Sequence, residues 1–385
     1  MTDRKTGYLA LADGSIFKGF AWGAEGSVTG EVVFQTGMTG YQEVLTDPSY
    51  VGQIVTMTAP HIGNTGINAE DAESRRGQPH VAGFVMREPC DRPSNHRSQE
   101  SLFQYLERNG IVALGGIDTR KLVRTLRDRG AQNGCIGTSS PDELVDRARA
   151  APDMQGLDLV ARVTPAESYA FEESRGRWRV GFEQESPING LSKLQHGRPL
   201  HVVAMDFGAK RNILRCLVDA GCRVTAVPAT TSAHDILALK PDGIFLSNGP
   251  GDPAAVGYGV STIRDLLGQR PMFGICLGHQ LLALAVGAKT YKLKFGHHGL
   301  NQPVQDLETG RVEITLQNHG FCVDVDSLHG KGVTTHRHLN DGTSEGLSVP
   351  DAKAFSVQYH PEAAAGPHDA LYLFRRFTDA MMMSP

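Results

Sequence analysis

PMFGICLGHQLLALAVG, residues 271–287, joins a short apolar segment to a longer one through a turn that contains Cys276. PMFGI predicts a buried strand and LLALAVG a helix, so the cysteine lies at a strand-to-helix turn that resembles a nucleophile elbow. Gly274 and Gly278 permit a tight turn, and the helix N-terminus favours a thiolate. An inert buried cysteine is the alternative, but the glycines and the strand favour a nucleophile.

The same alternation of strand and helix extends on both sides of this stretch. Apolar strands are predicted at LHVVAMD (200–206), GIFLSN (243–248) and AFSVQY (354–359). Strands separated by helices indicate a parallel sheet covered on both faces, with ligands bound at the carboxyl ends of the strands. The segments that follow GIFLSN, PMFGI and AFSVQY should therefore converge on one edge.

His360-Pro361-Glu362 directly follows AFSVQY. Residues two apart on an extended chain point to the same side, so Glu362 can accept from one imidazole nitrogen while the other faces a thiol. A surface or capping histidine is the alternative. The carboxylate at matching parity favours a triad of nucleophile, base and orienting acid.

The loop SNGPGDP, residues 247–253, carries two glycines that let the backbone approach a ligand closely. A phosphate cradle is the obvious rival, but the loop lacks the GK[ST] ending, and no GxGxxG follows a strand. Its N–H groups, with that of Leu277, are suited to holding an oxyanion.

The first half of the chain predicts a different kind of domain, with mixed α and β structure. A hairpin around Asp13-Gly14 is followed by the helical segments SLFQYLERNG (101–110) and TRKLVRTLRDRG (119–130), each ending in glycine. A proline-containing polar stretch then suits a linker. We divide this α/β chain into an amino-terminal domain, a linker and a carboxyl-terminal domain at 1–150, 151–198 and 199–385.

The composition excludes several classes of function. Lys+Arg number 38 against 42 Asp+Glu, and the net charge of −4 gives no field that would gather nucleic acid or an anionic membrane. No apolar run is long enough to span a bilayer, and the start resembles neither a signal nor a transit peptide, so we expect a cytoplasmic protein. Six scattered cysteines and two isolated histidine clusters, 297–298 and 336–338, lead us to expect no metal site.

GICLGHQ, SNGPGDP and HPE together resemble the motifs of class I, triad-type glutamine amidotransferases. In the first half, GEVVFQTGMTGYQEVLTDPSYVGQIVTMTAPHIGNTG (30–66) and GGIDTRKLVRTLRDRG (115–130) are similar to the amino-terminal domain of the small, glutamine-hydrolysing subunit of carbamoyl phosphate synthetase. Other amidotransferases lack this domain. The resemblance covers nearly the whole chain and includes QNHGF (317–321).

The resemblance implies catalytic roles for Cys276, His360 and Glu362. It also implies that a second set of residues contacts glutamine, namely Ser49, Gly249, Gly251, Leu277, Gln280, Asn318, Gly320 and Phe321. The implied reaction is thiolate attack on the carboxamide, formation of a glutamyl thioester and release of ammonia. The ammonia would pass to a large ATP-binding subunit that makes carbamoyl phosphate from bicarbonate. We therefore expect a heterodimer, with ATP and Mg²⁺ in the partner and no cofactor in this chain.

Two alternatives stay open at this point. The chain can be an amidotransferase that serves another acceptor or none, which the amino-terminal segment disfavours. It can also be a scaffold that has lost catalysis, which the presence of all three triad residues disfavours.

Overall fold

The computed structural model describes residues 4–176 and 198–383, which form two compact units. The first unit comprises the residues up to Leu157 together with Leu293–Leu300, and the second comprises the remainder. The domain boundaries at 150 and 198 stay a prediction. Most of the predicted linker, 177–197, lies outside the described residues.

The first unit contains nine strands and four helices among its described residues. The strands are β1 (Thr6–Leu11), β2 (Ile16–Gly23), β3 (Ser27–Gln35), β4 (Gln53–Met57), β5 (His61–Ile62), β6 (Gly83–Val85), β7 (Glu88–Pro89), β8 (Val112–Gly115) and β9 (Gln132–Gly137). The helices are α1 (Tyr41–Thr46), α2 (Leu102–Arg108), α3 (Thr119–Arg129) and α4 (Pro141–Ala150).

Seven of these strands close into a barrel in the order β1-β2-β8-β6-β4-β3-β9. The hairpin predicted around Asp13-Gly14 is present as the antiparallel pair of β1 and β2, in which Leu9 pairs with Phe17. Strand residues alternate between two buried clusters, as Ile54 and Val55 of β4 illustrate. Closure leaves no exposed edge strand in the barrel, and the sequence did not predict it.

Both helices predicted from the sequence in this unit begin at a capping side chain. Ser101 forms a capping box with Gln104 at the start of α2, and Asp118 accepts from the N–H of Lys121 at the start of α3. Leu122 and Leu126 bury one face of α3 against the barrel strands.

The described residues of the second unit hold one sheet of ten strands with helices on both faces. Its strands are β10 (Tyr169–Phe171), β11 (Leu200–Asp206), β12 (Cys222–Pro228), β13 (Gly243–Leu246), β14 (Met272–Ile275), β15 (Lys289–Asp306), β16 (Val312–Asp324), β17 (Val333–His338), β18 (Ser344–Val349) and β19 (Ala354–Val357). Its helices are α5 (Arg211–Asp219), α6 (Ala233–Ala238), α7 (Gly257–Leu266), α8 (Leu277–Ala285) and α9 (Tyr372–Met382). The middle of β15, Leu293–Leu300, belongs to the first unit.

The sheet order is β10-β12-β11-β13-β14-β19-β18-β17-β15-β16. Five neighbouring strands of this sheet pair in parallel, as the alternation of strand and helix predicted: β12, β11, β13, β14 and β19. Apolar side chains of α6, α7 and α8 pack on one face of the sheet, and those of α5 and α9 pack on the other. None of the helices in the described ranges has both the length and the hydrophobicity that a membrane span requires.

The antiparallel part of this sheet is a feature that the sequence analysis did not anticipate. Strand β18 runs antiparallel to β19, and β17 antiparallel to both β18 and β15. Residues 158–176, part of the predicted linker, supply β10, which pairs antiparallel with β12. Val160 from the same segment is fully buried in the core.

Candidate active site

Cys276 lies between β14 and α8 with backbone angles of φ 54° and ψ −105°. This conformation is unusual for a residue with a side chain, and such strain is characteristic of functional turns. The Cys276 N–H donates to Val357 O at 2.9 Å, which fixes the turn to the neighbouring strand β19. The predicted strand-to-helix turn is therefore present.

The two flanking glycines are required by close backbone contacts. A Cβ on Gly278 would lie 2.3 Å from Leu246 O, and a Cβ on Gly274 would lie 2.8 Å from Gly278 O. Neither backbone oxygen can move independently of its strand or helix. Only glycine therefore fits at either position.

The thiol of Cys276 is buried and lies near β16. Its Sγ is 3.7 Å from Asn318 O, an acceptor in the QNHGF segment. The N–H of Gly278 donates to Ser247 O at 3.0 Å, so the first turn of α8 is connected to the SNGPGDP loop. The helix N-terminus places positive potential beside the sulfur.

His360 follows β19, the strand next to the one that ends at Cys276. Its Nδ1 lies 2.8 Å from Glu362 Oε1, and its backbone N–H donates to Leu316 O at 2.9 Å. The imidazole is buried, and within the described residues its Nε2 has no hydrogen-bond partner. A buried ring nitrogen without a partner is costly unless a ligand or a reacting group engages it.

Glu362 is held by residues at the start of α5 as well as by His360. Lys210 Nζ lies 3.5 Å from Glu362 Oε1, and Asn212 Nδ2 donates to Glu362 O at 2.6 Å. Burial would raise the pKa of this carboxyl, but electrostatic attraction to His360 and Lys210, together with hydrogen bonds, lowers the pKa below its ordinary value. Glu362 is therefore ionised at neutral pH.

Lys210 and Asn212 were missed in the sequence analysis. Both belong to the segment AKRN that follows β11, so the rule on carboxyl ends of parallel strands pointed to them. Lys210 is 6% exposed, which is rare for lysine unless it is paired. The burial of Lys210 and its pairing with Glu362 depend on the fold, so no sequence pattern distinguishes this lysine from an exposed one.

The SNGPGDP loop packs against the cysteine turn. A Cβ on Gly249 would lie 2.3 Å from Phe207 O and 2.7 Å from Leu277 Cδ2, and Gly251 has φ +89°. Asn248 Oδ1 accepts from the N–H of Lys210 at 3.0 Å. The loop thus connects the cysteine turn to the start of α5, where Lys210 lies.

Gln280 contacts two of the predicted segments. Its Nε2 donates to Phe321 O at 2.8 Å and to Gln358 Oε1 at 3.0 Å. Apart from the residues on either side of Gly320, no atom of the described chain lies within 4 Å of a Cβ added there, so space is open beside Phe321. The neighbouring residue in the helix, His279, places its Nδ1 2.9 Å from Ser356 Oγ, and burial lowers its pKa to about 3. His279 is therefore neutral and anchors α8 to β19.

Ser49 lies in a short 3₁₀ helix, Pro48–Tyr50, of the first unit. Its N–H donates to Asp47 Oδ1 at 2.9 Å, the contact expected of a turn residue. The role of Ser49 in binding glutamine stays a prediction, as do the roles of the other glutamine-contact residues.

Candidate metal ligands of the second unit, taken alone, come in pairs. His338 Nδ1 lies 3.5 Å from Asp341 Oδ1, and His319 Nε2 lies 4.0 Å from Glu345 Oε1. The expectation that this chain holds no metal stays a prediction.

Two family models match the chain. The model described as "Carbamoyl-phosphate synthase small chain, CPSase domain" matches residues 9–136, and "Glutamine amidotransferase class-I" matches residues 203–380. The carbamoyl phosphate synthase small chain of Syntrophotalea carbinolica is 58% identical over 97% of both chains, and that of Pseudomonas aeruginosa is 55% identical over 98% of both. The crystal structure of a glutamine amidotransferase from Thermotoga maritima has a TM-score of 0.39 at 16% identity, covering 49% of this chain and 100% of that one.

Proposed function

We propose that this chain, which belongs to the carbamoyl-phosphate synthase small chain family, hydrolyses glutamine and supplies the ammonia to a separate large chain. The single observation that carries the proposal is the state of His360. Its Nδ1 lies 2.8 Å from the Glu362 carboxylate, while its Nε2 is buried and has no hydrogen-bond partner among the described residues. His360 follows β19, which pairs with the strand that ends at Cys276. An imidazole held in this way is prepared to exchange a proton with a reacting group.

In the proposed reaction the Cys276 thiolate attacks the side-chain carbonyl carbon of glutamine. The resulting tetrahedral intermediate collapses to a γ-glutamyl thioester, and His360 donates the proton with which ammonia leaves. His360 then removes a proton from water, which attacks the thioester, and collapse of the second tetrahedral intermediate gives glutamate and returns the Cys276 thiolate. The net change consumes one glutamine and one water.

Backbone amides are proposed to stabilise the oxyanion of both tetrahedral intermediates. The N–H of Leu277 directly follows the nucleophile, and Gly249 packs against the Leu277 side chain. Each such donor typically contributes about 3 kcal/mol to the transition state. We assign the remaining glutamine contacts to Ser49, Gly251, Gln280, Asn318, Gly320 and Phe321.

Lys210 and Glu362 are proposed as positioning residues for His360. The ionised carboxylate selects the tautomer that carries hydrogen on Nδ1 and stabilises the imidazolium that forms during the reaction. After His360, Lys210 makes the next charge contribution to the lowered pKa of this buried carboxylate and so favours its ionised form.

The partner is proposed to be the large chain of the synthase. The two family models that match this chain account for a synthase small-chain domain and an amidotransferase domain. We propose that ATP and Mg²⁺ bind to the partner, where bicarbonate is activated and carbamoyl phosphate is completed.

The proposal is tested with an electrophilic glutamine analogue and a matched variant. We expect one covalent adduct, located at Cys276 by mass spectrometry, and none in Cys276→Ser. With the large chain present, Cys276→Ser should lose glutamine-dependent synthesis but retain synthesis from added ammonia. Glutamine-dependent synthesis by that variant, or an adduct only at another cysteine, would refute the assignment.

A further inference from the structure

A cavity of about 550 Å³ in the first unit is lined by arginine side chains. Arg120, Arg124 and Arg127 come from α3, and Arg87 comes from the segment after β6. The four residues are exposed. We call this surface the arginine face.

The geometry of α3 places its three arginines together. Positions 120, 124 and 127 have the i, i+4, i+7 spacing of one helix face, whereas Leu122 and Leu126 are fully buried on the other. Val123 is partly buried and lines the cavity between the arginines. Like charges at this spacing repel one another, which lowers the stability of the isolated helix.

Other arginines of the same unit have carboxylate partners. Arg108 Nη2 lies 2.6 Å from Glu100 Oε1, and Arg129 Nη1 lies 2.6 Å from Asp13 Oδ2. Arg120, Arg124 and Arg127 form no ion pair with any residue in 4–176 or 198–383. Among the described residues, Arg87 forms an ion pair with Glu88 alone; its Nε lies 3.9 Å from Glu88 Oε1, and both side chains are exposed. Carboxylates of the described residues therefore leave most of the positive charge of the arginine face unneutralised.

The amino end of α3 is already engaged, which argues against a buried phosphate. Asp118 accepts from the N–H of Lys121 at 2.9 Å and places a negative charge at this terminus. The N–H of Thr119 donates to Ile117 O at 2.8 Å. A phosphate site would use these amides, whereas the arginine face consists of side chains spread over about 10 Å of helix.

We propose that the arginine face is the docking surface for a carboxylate-rich surface of the large chain. This inference rests on the proposed function and names the place on this chain where the partner binds. Guanidinium groups pair with carboxylates through two parallel hydrogen bonds, and an array of them steers the approach of an acidic partner. The surface lies within residues 9–136, which match the synthase small-chain model, and outside the residues that match the amidotransferase model.

The test measures binding of the full-length chain to the purified large chain at low and high NaCl. We expect Arg120→Glu/Arg124→Glu to weaken binding about tenfold or more and to flatten its salt dependence. The matched control is Arg108→Glu/Arg129→Glu, which changes net charge equally but removes arginines that already have partners. The control should bind within about twofold of the wild type.

Three further measurements keep the outcomes separate. Labelling of Cys276 by the glutamine analogue in the isolated chain should be equal in all variants. If charge reversal perturbs α3, Arg120→Ala/Arg124→Ala should lose less affinity for the large chain than Arg120→Glu/Arg124→Glu does. Equal affinity of the wild type and both face variants would overturn the inference. So would saturable binding of inorganic phosphate that the face variants lose while binding to the large chain is unchanged. A wild-type chain that does not bind the large chain at all refutes the proposed partner, and the inference with it.

Discussion

At the residue scale, the site depends on a few backbone positions at which the residue present cannot be replaced without a clash or backbone strain. Cys276 has a positive φ, and the turn around it is closed by Gly274 and Gly278. The clash that a methyl group would make at 278 is with a backbone oxygen of β13, so no side-chain rotation can relieve it. The position of the Cys276 sulfur therefore depends on the lack of a Cβ atom at Gly274 and at Gly278.

We expect Gly278→Ala to lower kcat for glutamine by about 100-fold or more. The added Cβ would lie 2.3 Å from Leu246 O, and the resulting shift moves Cys276 by a fraction of an ångström to an ångström. Steady-state glutaminase kinetics measure the effect. Gly257→Ala is the control, because a Cβ added there meets no atom of the described residues within 4 Å outside its own helix. An equal loss in that variant would show that the clash is not the cause.

We expect Lys210→Met to move the acid limb of the pH profile of kcat/KM to higher pH. Burial raises the pKa of Glu362, and the charges of His360 and Lys210 lower it, so removing one charge raises this pKa. The stabilisation from ionised Glu362 is present above the ordinary carboxyl pKa of 4.5 and is lost as pH falls through the lowered value. In the variant that loss begins at higher pH.

The measurement is a pH series of kcat/KM together with acid unfolding of both proteins. Lys18→Met, at an exposed lysine of β2, is the control and should leave both curves in place. An acid limb unchanged in Lys210→Met would contradict the role given to Lys210.

At the scale of elements, the site is assembled by strand order. Strands β13, β14 and β19 are neighbours in the sheet, and their carboxyl ends carry the SNGPGDP loop, Cys276 and His360. Strand β16 adds Asn318 O next to the thiol and pairs with the His360 backbone through Leu316. Loss of any of these strands displaces a different part of the site.

We expect Phe273→Ala to reduce the free energy of unfolding by about 3–5 kcal/mol and to abolish glutaminase activity. Phe273 is fully buried in β14; its ring stacks on Phe355 with centroids 4.5 Å apart and meets Phe374 edge-on. Denaturant unfolding measures the change. Val333→Ala, at a residue of β17 that is 61% exposed, should change stability by less than about 0.5 kcal/mol.

At the scale of the whole molecule, the chain enters the first unit twice. The segment Leu293–Leu300 lies more than 130 residues beyond the rest of that unit. Lys294 O accepts from the N–H of Ala131, and His298 O accepts from the N–H of Thr36. The first unit is therefore incomplete without a segment whose neighbours in sequence belong to the second.

We expect Phe295→Ala to destabilise the first unit by about 1–3 kcal/mol, because Phe295 stacks on Phe34 of β3 with centroids 6.1 Å apart. Hydrogen exchange measured by mass spectrometry should show faster exchange of the β3 amides and unchanged exchange in α5. Met38→Ala, at a side chain 76% exposed, is the control. Unchanged exchange in β3 would mean that the segment contributes little to the unit.

Local patterns in the sequence predicted much of the fold and of the site. The strand-to-helix turn at Cys276, the pairing of His360 with Glu362 two residues away and the parallel strands β11 to β14 follow from short-range rules of turn geometry and strand parity. The closed barrel, the antiparallel extension through β18 and the place of β10 were not predicted. Those features depend on pairings between segments far apart in the chain.

The sequence by itself determined where the nucleophile turn and the extended His-X-Glu lie, because each is encoded within seven residues or fewer, and it predicts that these residues carry the chemistry. Only the tertiary structure decided that Lys210 pairs with Glu362, that Asn318 O meets the thiol and that, among the described residues, Arg120, Arg124 and Arg127 keep no ion-pair partner. The physical reason is that burial, pKa and charge pairing depend on which distant groups share a low-dielectric environment, and that is set by chain folding rather than by local spacing.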